Sequence, residues 1–215
     1  MKEKMIIGCI LMAAGISERF GCGNKLMADL DGKPLISYPV QTLLSVKALF
    51  DRTDIGISLD LLTVTRWPEV CEFCEAAGMP CILYEGGLQS DTIRFGLEAA
   101  ADRNWQGCMF LAGDQPLITA GTIKRLIGTF ASRPDQPCRV SWQGNAASPV
   151  IFPKAYFEAL KRLEGDEGGR QVLKNAKIPV LPVEIREASE LMDIDTLQDY
   201  RQAAGIIIEK QGNDR

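Results

Sequence analysis

Short apolar runs alternate with segments of helical spacing along most of the chain. Apolar runs of this length predict buried strands, and apolar residues at every third or fourth position predict helices. The predicted strands are 5–12, 59–65, 81–84, 108–112 and 178–183, with a hairpin at 141–151. The predicted helices are 34–49, 67–77, 90–101, 119–131 and 195–204, with a further helix from residue 153. This alternation predicts an α/β fold, a Rossmann-like three-layer sandwich with a mostly parallel central sheet.

The length of the chain is that of one domain. With 215 residues it can bury roughly 70% of its unfolded surface, so the fold needs no disulfide or metal ion for its stability. We predict a single domain over residues 1–204, followed by a polar tail over residues 205–215.

The composition excludes several classes of function. The chain has no histidine, which removes Ser-His-Asp catalysis, Cys-His catalysis and most catalytic zinc sites. The net charge is −4, with acidic and basic residues interspersed, so we expect no nucleic-acid partner. The seven cysteines lie mostly in apolar runs, as is typical of reduced thiols, and we interpret Cys71 and Cys74 as structural.

The first residues have the composition of a signal peptide, but their apolar run continues directly into a charged, glycine-rich segment. Removal of this run would delete a predicted central strand. No apolar stretch reaches the length needed to span a membrane. We therefore expect a cytoplasmic protein that has no membrane partner.

The segment LMAAGISERFGCGNKL follows the first predicted strand and has the features of a phosphate-binding loop. Its small residues Ala13, Ala14 and Gly15 allow backbone N–H groups to approach phosphate oxygens. Arg19 and Lys25 supply positive charge. The segment matches neither the Walker A pattern nor the dinucleotide fingerprint, so it predicts a third kind of nucleotide loop.

Asp114 follows the apolar run CMFLA and precedes Gln115 and Pro116. Open α/β sheets bind ligands at the carboxyl ends of their strands, and the proline restricts the turn that leaves this strand. An aspartate in this place can also simply cap the next turn. Because Asp114 shares a sheet edge with the predicted phosphate loop, we favour it as a Mg²⁺ ligand.

Asp193 and Asp195 alternate in the sequence MDIDT, just before the last predicted helix. In an extended segment the two carboxylates share a face. One interpretation makes Asp195 the N-cap of the helix, with Gln198 completing a capping box. The other is that one aspartate of the pair joins Asp114 around Mg²⁺, which prefers oxygen ligands and substrate phosphates.

Two glycine-rich turns carry further polar groups. The first, EGGLQSD, contains Gln89 and Ser90, which suit a base or ribose edge, although Ser90 can instead cap its helix. The second, GDEGGR, ends in Arg170. It can be a plain connection between helices, but three glycines and a cation are unusual for such a connection.

These motifs resemble those of the MobA-like nucleotidyltransferase superfamily, and within it the molybdenum cofactor cytidylyltransferases. The likeness covers almost the full length. LMAAGISERFGCGNKL resembles the family's L-A-A-G-x-S-x-R-[MF]-G…K loop, GDQPLIT its metal-binding GD-x-P, GDEGGR its G-D-x-G-x-R segment, and MDIDTLQDY its terminal D-[IV]-D-T-P-E-D. GDEGGR is the more discriminating motif, and the Ala-Ala-Gly of the loop resembles the cytidylyl branch more than the guanylyl branch. The implied fold is that of nucleotide-diphospho-sugar transferases.

The resemblance implies a Mg²⁺-dependent transfer of a nucleoside monophosphate to the terminal phosphate of molybdopterin, with release of pyrophosphate. The implied donor is CTP or another nucleoside triphosphate, and a molybdoenzyme or its chaperone is an implied protein partner. The implied catalytic residues are Arg19, Lys25 and Asp114, and the metal ligands are Asp114 and Asp195, with Asp193 as the alternate. The nucleotide-binding residues are Ala13, Ala14, Gly15, Arg19, Lys25, Gln89 and Ser90, and the acceptor-binding residues are Asp166, Gly168 and Arg170.

The sequence departs from the family's pattern at two positions. Ser148 stands in Ser-Pro-Val, where the cytidylyl enzymes often carry His-Pro-Val, and Leu197 replaces the usual proline after D-I-D-T. The alternatives within the superfamily are a sugar or alcohol phosphate as acceptor, or GTP as donor. A cofactor-binding accessory protein without turnover is a further alternative. A dinucleotide-dependent oxidoreductase would need a glycine fingerprint and an acid closing the second strand, but the nearest acids, Asp29 and Asp31, precede a Gly-Lys-Pro turn.

Overall fold

The structure is a computed structural model that describes residues 4–16, 20, 23–175 and 178–213, in which strands and helices alternate. The strands are β1 (Met5–Ala13), β2 (Asp29–Leu30), β3 (Lys33–Pro34), β4 (Ile57–Thr65), β5 (Cys81–Leu83), β6 (Gly107–Ala112), β7 (Cys138–Trp142), β8 (Asn145–Pro153) and β9 (Leu181–Glu184). The helices are α1 (Ser37–Arg52), α2 (Pro68–Ala76), α3 (Gln89–Ala99), α4 (Ala120–Ser132), α5 (Phe157–Lys161), α6 (Gly169–Lys174) and α7 (Leu197–Asn213). Short 3-10 helices cover Lys25–Met27, Lys154–Tyr156 and Ala188–Leu191. None of the helices described is both long and apolar enough to cross a membrane.

The central sheet has seven strands in the order β5-β4-β1-β6-β8-β7-β9, and β2 and β3 form a separate hairpin. Strands β5, β4, β1 and β6 pair in parallel, as do β7 and β9. Strand β8 is antiparallel to both of its neighbours, β6 and β7. The sheet is therefore mostly parallel, which confirms the predicted α/β fold.

The strand order changes direction at β1. From β1 the chain moves outward to β4 and β5, and helix α3 then brings it back to β6 on the other side of β1. In open α/β sheets, ligands bind at such a point, beyond the carboxyl ends of the strands. The Gly113 N–H donates to the Met12 carbonyl at 2.9 Å, so the chain after β1 and the chain after β6 diverge only beyond this hydrogen bond.

Each face of the sheet packs against its own core. On β1, Ile7, Cys9 and Leu11 belong to the core that α1, α2 and α4 cover. Ile10 belongs to the second core, which α3, α5 and α6 cover. This alternation follows from the period of two along a strand.

Gly8 of β1 lies against the indole ring of Trp105. A Cβ built on Gly8 would lie 2.1 Å from Cε3 of Trp105, so only glycine leaves room for the ring. Trp105 is buried, and its Nε1 donates to Oδ2 of Asp60 at 2.8 Å. Because Asp60 pairs with Gly8 in the register of β1 and β4, this hydrogen bond holds the ring over the strand.

The start of α4 agrees with the prediction, and the start of α1 does not. Thr119 caps α4, since its hydroxyl accepts a hydrogen bond from the Thr122 N–H at 3.2 Å. Helix α1 begins at Ser37 rather than at residue 34, because the DGKP turn closes the β2–β3 hairpin first.

The last helix differs from the prediction at both ends. Thr196 rather than Asp195 is the capping residue, because its hydroxyl accepts from the Asp199 N–H at 3.2 Å and its N–H donates to the Asp199 carboxylate at 2.8 Å. The interpretation of Asp195 as the helix cap was therefore wrong. Helix α7 also continues through most of the predicted polar tail, where Ile207 is buried against the first core.

We expect Gly8→Ala to lower the free energy of unfolding by about 1–3 kcal/mol, because the added methyl group displaces the Trp105 ring. Gly128→Ala is the matched control, since open space surrounds its Cβ position within α4. There alanine should raise stability by up to about 1 kcal/mol through helix propensity. Urea denaturation compares the two variants, and equal effects would contradict the contact between Gly8 and Trp105.

Candidate active site

A cavity of about 940 Å³ lies at the carboxyl ends of β1 and β6. This volume is near the top of the roughly 300–1,000 Å³ that small-molecule sites occupy. Backbone atoms of the loops that follow β1 and β5 form part of its wall. The polar side chains that line it are Lys25, Gln89, Thr92, Asp114, Gln115, Arg139, Ser148, Asp166, Arg170, Asp193 and Asp195.

Lys25 joins two of the predicted metal ligands. Its ammonium group lies 2.7 Å from Oδ2 of Asp114 and 3.1 Å from Oδ1 of Asp195, and the residue is only 6% exposed. Burial acts to lower the pKa of Lys25, but the two carboxylates outweigh it and raise the pKa above its usual value. Lys25 is therefore charged at neutral pH.

Local hydrogen bonds position Lys25. It begins the 3-10 helix Lys25–Met27, which Asn24 caps by accepting from the Leu26 N–H at 3.0 Å. The amide group of Asn24 donates to Glu69 of α2 at 3.1 Å. Since Leu26 is buried in the first core, the lysine beside it is held at the edge of the sheet.

Asp114 lies just beyond β6, and the segment before α7 packs along it. Its carbonyl oxygen accepts a hydrogen bond from the Ile194 N–H at 3.0 Å. Ile194 is fully buried, and the aspartates on either side of it, Asp193 and Asp195, both line the cavity. The alternation in MDIDT therefore places the two carboxylates at the same cavity, as its spacing predicts.

Asp193 and Asp195 differ in their surroundings. Burial, and then the negative charge of Asp114, raise the pKa of Asp193 to about 6. Gln115 opposes this shift with a side-chain hydrogen bond to Asp193. Asp195 instead contacts the Lys25 ammonium.

The donor atoms of this cluster fit a hard divalent cation. Asp114, Asp193 and Asp195 supply carboxylate oxygens, and the buried Oε1 of Gln115 has no hydrogen-bond partner among the described residues. Oxygen ligands of this kind are those that Mg²⁺ prefers. In the described ranges no three acidic, histidine or cysteine side chains are grouped closely enough to hold a metal ion alone. A metal here would use one or two carboxylates and complete its shell with water and substrate oxygens, as Mg²⁺ commonly does.

The predicted phosphate loop contributes Ala14 and Gly15 to the cavity wall, while Ala13 is buried as the last residue of β1. The Gly15 carbonyl accepts a hydrogen bond from Nε1 of Trp67 at 3.1 Å, which ties the loop to the chain after β4. The predicted role of Arg19 stays a prediction, because this residue lies outside the described ranges.

Gln89 and Ser90 connect the two glycine-rich turns. Ser90 is 3% exposed, and its hydroxyl donates to the Gly165 carbonyl at 2.6 Å. Gln89 lines the cavity and packs on Gly168, where an added Cβ would lie 2.6 Å from Oε1 of Gln89. Ser90 therefore makes a structural contact instead of lining the cavity, and Gln89 is the polar side chain that this turn presents there.

The second glycine-rich turn lies at the cavity together with a residue that the sequence analysis did not single out. Asp166, Gly168 and Arg170 all line the cavity, and so does Arg139 of β7. The signal for Arg139 was its place between apolar residues in CRVSW, which puts it on the opposite face from them. Which face borders a cavity depends on the neighbouring strands, so the pattern alone could not identify the residue.

A family model described as the MobA-like NTP transferase domain matches residues 9–180. The chain belongs to this family. The match includes the second half of β1 with its loop, Asp114 and the turn that carries Arg170, and it confirms the resemblance to the MobA-like superfamily. The MobA-like chain is therefore a nucleotidyltransferase.

Curated relatives and solved structures are similar to the chain over nearly its full length. The MobA-like chain is similar to the purine catabolism protein PucB of Bacillus subtilis (strain 168), at 28% identity over 93% of this chain and 96% of PucB. It is also similar to the probable molybdenum cofactor guanylyltransferase of Thermococcus sibiricus, at 24% identity over 92% of this chain and 97% of the relative. A nucleotidyl transferase from Methanothermobacter thermautotroptrophicus has the same fold, with a TM-score of 0.76 at 19% identity over 96% of this chain and 99% of the other.

We expect Ser90→Ala to lower the free energy of unfolding by about 0.5–1.5 kcal/mol, because the hydrogen bond from the buried Ser90 hydroxyl to the Gly165 carbonyl is lost. Amide hydrogen exchange should rise in residues 165–170, which Ser90 holds to α3. The control is Ser45→Ala, which removes an exposed hydroxyl bonded to the Thr42 carbonyl of the same helix at 2.8 Å. Unchanged exchange in the turn of the Ser90 variant would show that this contact does not hold it.

Proposed function

We propose that this nucleotidyltransferase moves CMP from CTP to the terminal phosphate of molybdopterin and releases pyrophosphate. The proposal rests mainly on the meeting of Lys25, Asp114 and Asp195 at one cavity. Phosphoryl-type transfer depends on positioning and on neutralising the charge of phosphate oxygens, and a lysine beside metal-ligating carboxylates serves both needs. The family supports the class of reaction, whereas CTP and molybdopterin are our inference from the motifs.

Nucleotidyltransferases of this family use a divalent metal ion. We propose Mg²⁺, held by Asp114 and Asp195 with Asp193 as the alternate to Asp195. When bound, such an ion supplies positive charge that neutralises the triphosphate oxygens.

The protein's own groups bind the triphosphate and position it for attack. Lys25 lies beside Asp114, so its ammonium can bind triphosphate oxygens that reach the carboxylates, and backbone N–H groups at Ala14 and Gly15 can bind others. Arg19 is proposed to join them. The acceptor phosphate is ionised at neutral pH and can attack the α-phosphorus in line without a general base, in keeping with a chain that has no histidine.

The proposed identities of the donor and of the acceptor rest on different observations. The Ala-Ala-Gly sequence of the loop favours CTP, whereas the guanylyltransferase name of the Thermococcus relative favours GTP as a second candidate. Ser148 lines the cavity at the place where the cytidylyl enzymes often carry histidine, which keeps a sugar or alcohol phosphate acceptor as the alternative. The cytoplasmic location and the molybdoenzyme or chaperone partner stay predictions.

Thermal unfolding with CTP, GTP, ATP and UTP, each with and without Mg²⁺, tests the choice of donor. Ligand at a hundred times its dissociation constant adds about 2.7 kcal/mol, which corresponds to a rise in Tm of about 5–10 °C for a chain of this size. We expect this rise with CTP and Mg²⁺ together. A larger rise with GTP would make GTP the donor, and no rise with any nucleotide would favour the accessory-protein alternative.

We expect Asp114→Asn to lower kcat/KM for pyrophosphate release from CTP and molybdopterin by about 10²–10³-fold, since it removes a charged metal ligand from the reacting centre. The control is Asp51→Asn, which alters an exposed carboxylate paired with Lys47 on α1 at 2.9 Å and should leave the rate unchanged. Pyrophosphate release at the wild-type rate in the Asp114 variant would refute the metal assignment.

A further inference from the structure

Arg139 occupies an unusual position in the sheet. Its neighbours on β7, Cys138 and Val140, are fully buried in the first core. Arg139 therefore projects from the opposite face, the one on which its partner Val150 of β8 and then Phe110 of β6 line the cavity. Val150 and Phe110 beside it are apolar, so a guanidinium there needs water or a polar ligand as its partner.

Arg170 brings a second guanidinium to the same cavity from the GDEGGR turn. The two charges are close enough to interact, since burial and then the positive charge of Arg170 lower the pKa of Arg139. Two arginines of the described residues are paired with acids, Arg94 with Asp91 at 2.6 Å and Arg103 with Asp60 at 3.1 Å. Within the part of the chain that the structure describes, neither Arg139 nor Arg170 forms an ion pair with a carboxylate.

We propose that Arg139 and Arg170 together form an anion site that binds a phosphate monoester dianion of the acceptor. This inference rests on the proposed function and assigns a new residue, Arg139, to it. A planar guanidinium can donate two parallel hydrogen bonds to a phosphate, and two guanidiniums match the two charges of a monoester. The repulsion between the two arginines is relieved when the dianion lies between them.

The register of the sheet separates this site from the nucleotide end of the cavity. Arg139 is level with Val150 of β8 and Phe110 of β6, so it lies two strand spacings, about 10 Å, from β6. Lys25 and Asp114 meet beyond the carboxyl end of β6. The triphosphate and the acceptor phosphate therefore have separate cations within one cavity, so both can be bound before transfer.

Binding of inorganic phosphate tests the site without a need for the natural acceptor. Calorimetric titration uses the full chain saturated with Mg²⁺ and a non-hydrolysable α,β-methylene analogue of CTP, with chloride at matched ionic strength. We expect Arg139→Gln and Arg170→Gln each to weaken phosphate binding by about 10–100-fold, because each removes a charged hydrogen-bond donor. Arg139→Lys should fall between the wild type and Arg139→Gln. The control is Arg133→Gln, which alters an exposed arginine at the end of α4 and should leave phosphate binding unchanged.

The same titration without the analogue includes Lys25→Gln, which separates this site from the phosphate loop. Phosphate binding that depends on Lys25 but not on Arg139 or Arg170 would overturn the proposal, as would a wild-type chain that binds no phosphate. The unfolding temperature of each variant without ligand shows whether it is folded. Arg170→Gln, at an exposed position in the first turn of α6, provides the test should Arg139→Gln not fold.

Steady-state kinetics with CTP and molybdopterin then relates the site to turnover. We expect Arg139→Gln to raise KM for the acceptor by at least about tenfold and to leave KM for CTP within about twofold, a division that a general loss of stability would not produce. Raised KM for CTP alone would contradict the assignment to the acceptor. If the wild type does not use these substrates, the proposed function fails, while the phosphate titrations still decide the anion site.

Discussion

The structure depends on the pairing of one buried ammonium group. Burial of an unpaired charge costs several kcal/mol, so Lys25, at 6% exposure, requires Asp114 and Asp195 beside it. These partners are 89 and 170 positions away in sequence. The loop after β1, the end of β6 and the segment before α7 must therefore assemble together, and the place where they meet is also the place where phosphate and metal chemistry becomes possible.

The two halves of the sheet contribute different charges to the cavity. Lys25 and Asp114 follow strands of the parallel half, β5-β4-β1-β6, and the segment before α7 adds Asp193 and Asp195 at its carboxyl edge. The half that contains antiparallel β8 brings Arg139 and the turn of Arg170 to the same cavity. A reaction between two phosphorylated molecules has to hold two anions at a short distance, and cations on both sides of the cavity reduce their repulsion.

Residues in contiguous motifs could be predicted, and residues whose role depends on distant partners could not. Lys25 and Asp114 follow apolar strand patterns in recognisable local sequences, so their place at one sheet edge was expected before the structure. Ser90 could be interpreted as a nucleotide contact or a cap, because its hydrogen bond to Gly165 joins residues 75 positions apart. For Arg139 the sequence offered only its place between apolar residues. The strand beside it and the cavity that it lines are formed by other parts of the chain, so this alternation could not show its role.

By itself the sequence determined the alternation of strands and helices, the fold class and the family, because periodicity and short motifs are properties of neighbouring residues. Only the tertiary structure decided that Thr196 rather than Asp195 caps α7, that α7 continues along the first core, and that Arg139 shares a cavity with Arg170. Each of these outcomes depends on strand order, register or side-chain direction. These are set by contacts between segments far apart in sequence, which local patterns do not contain.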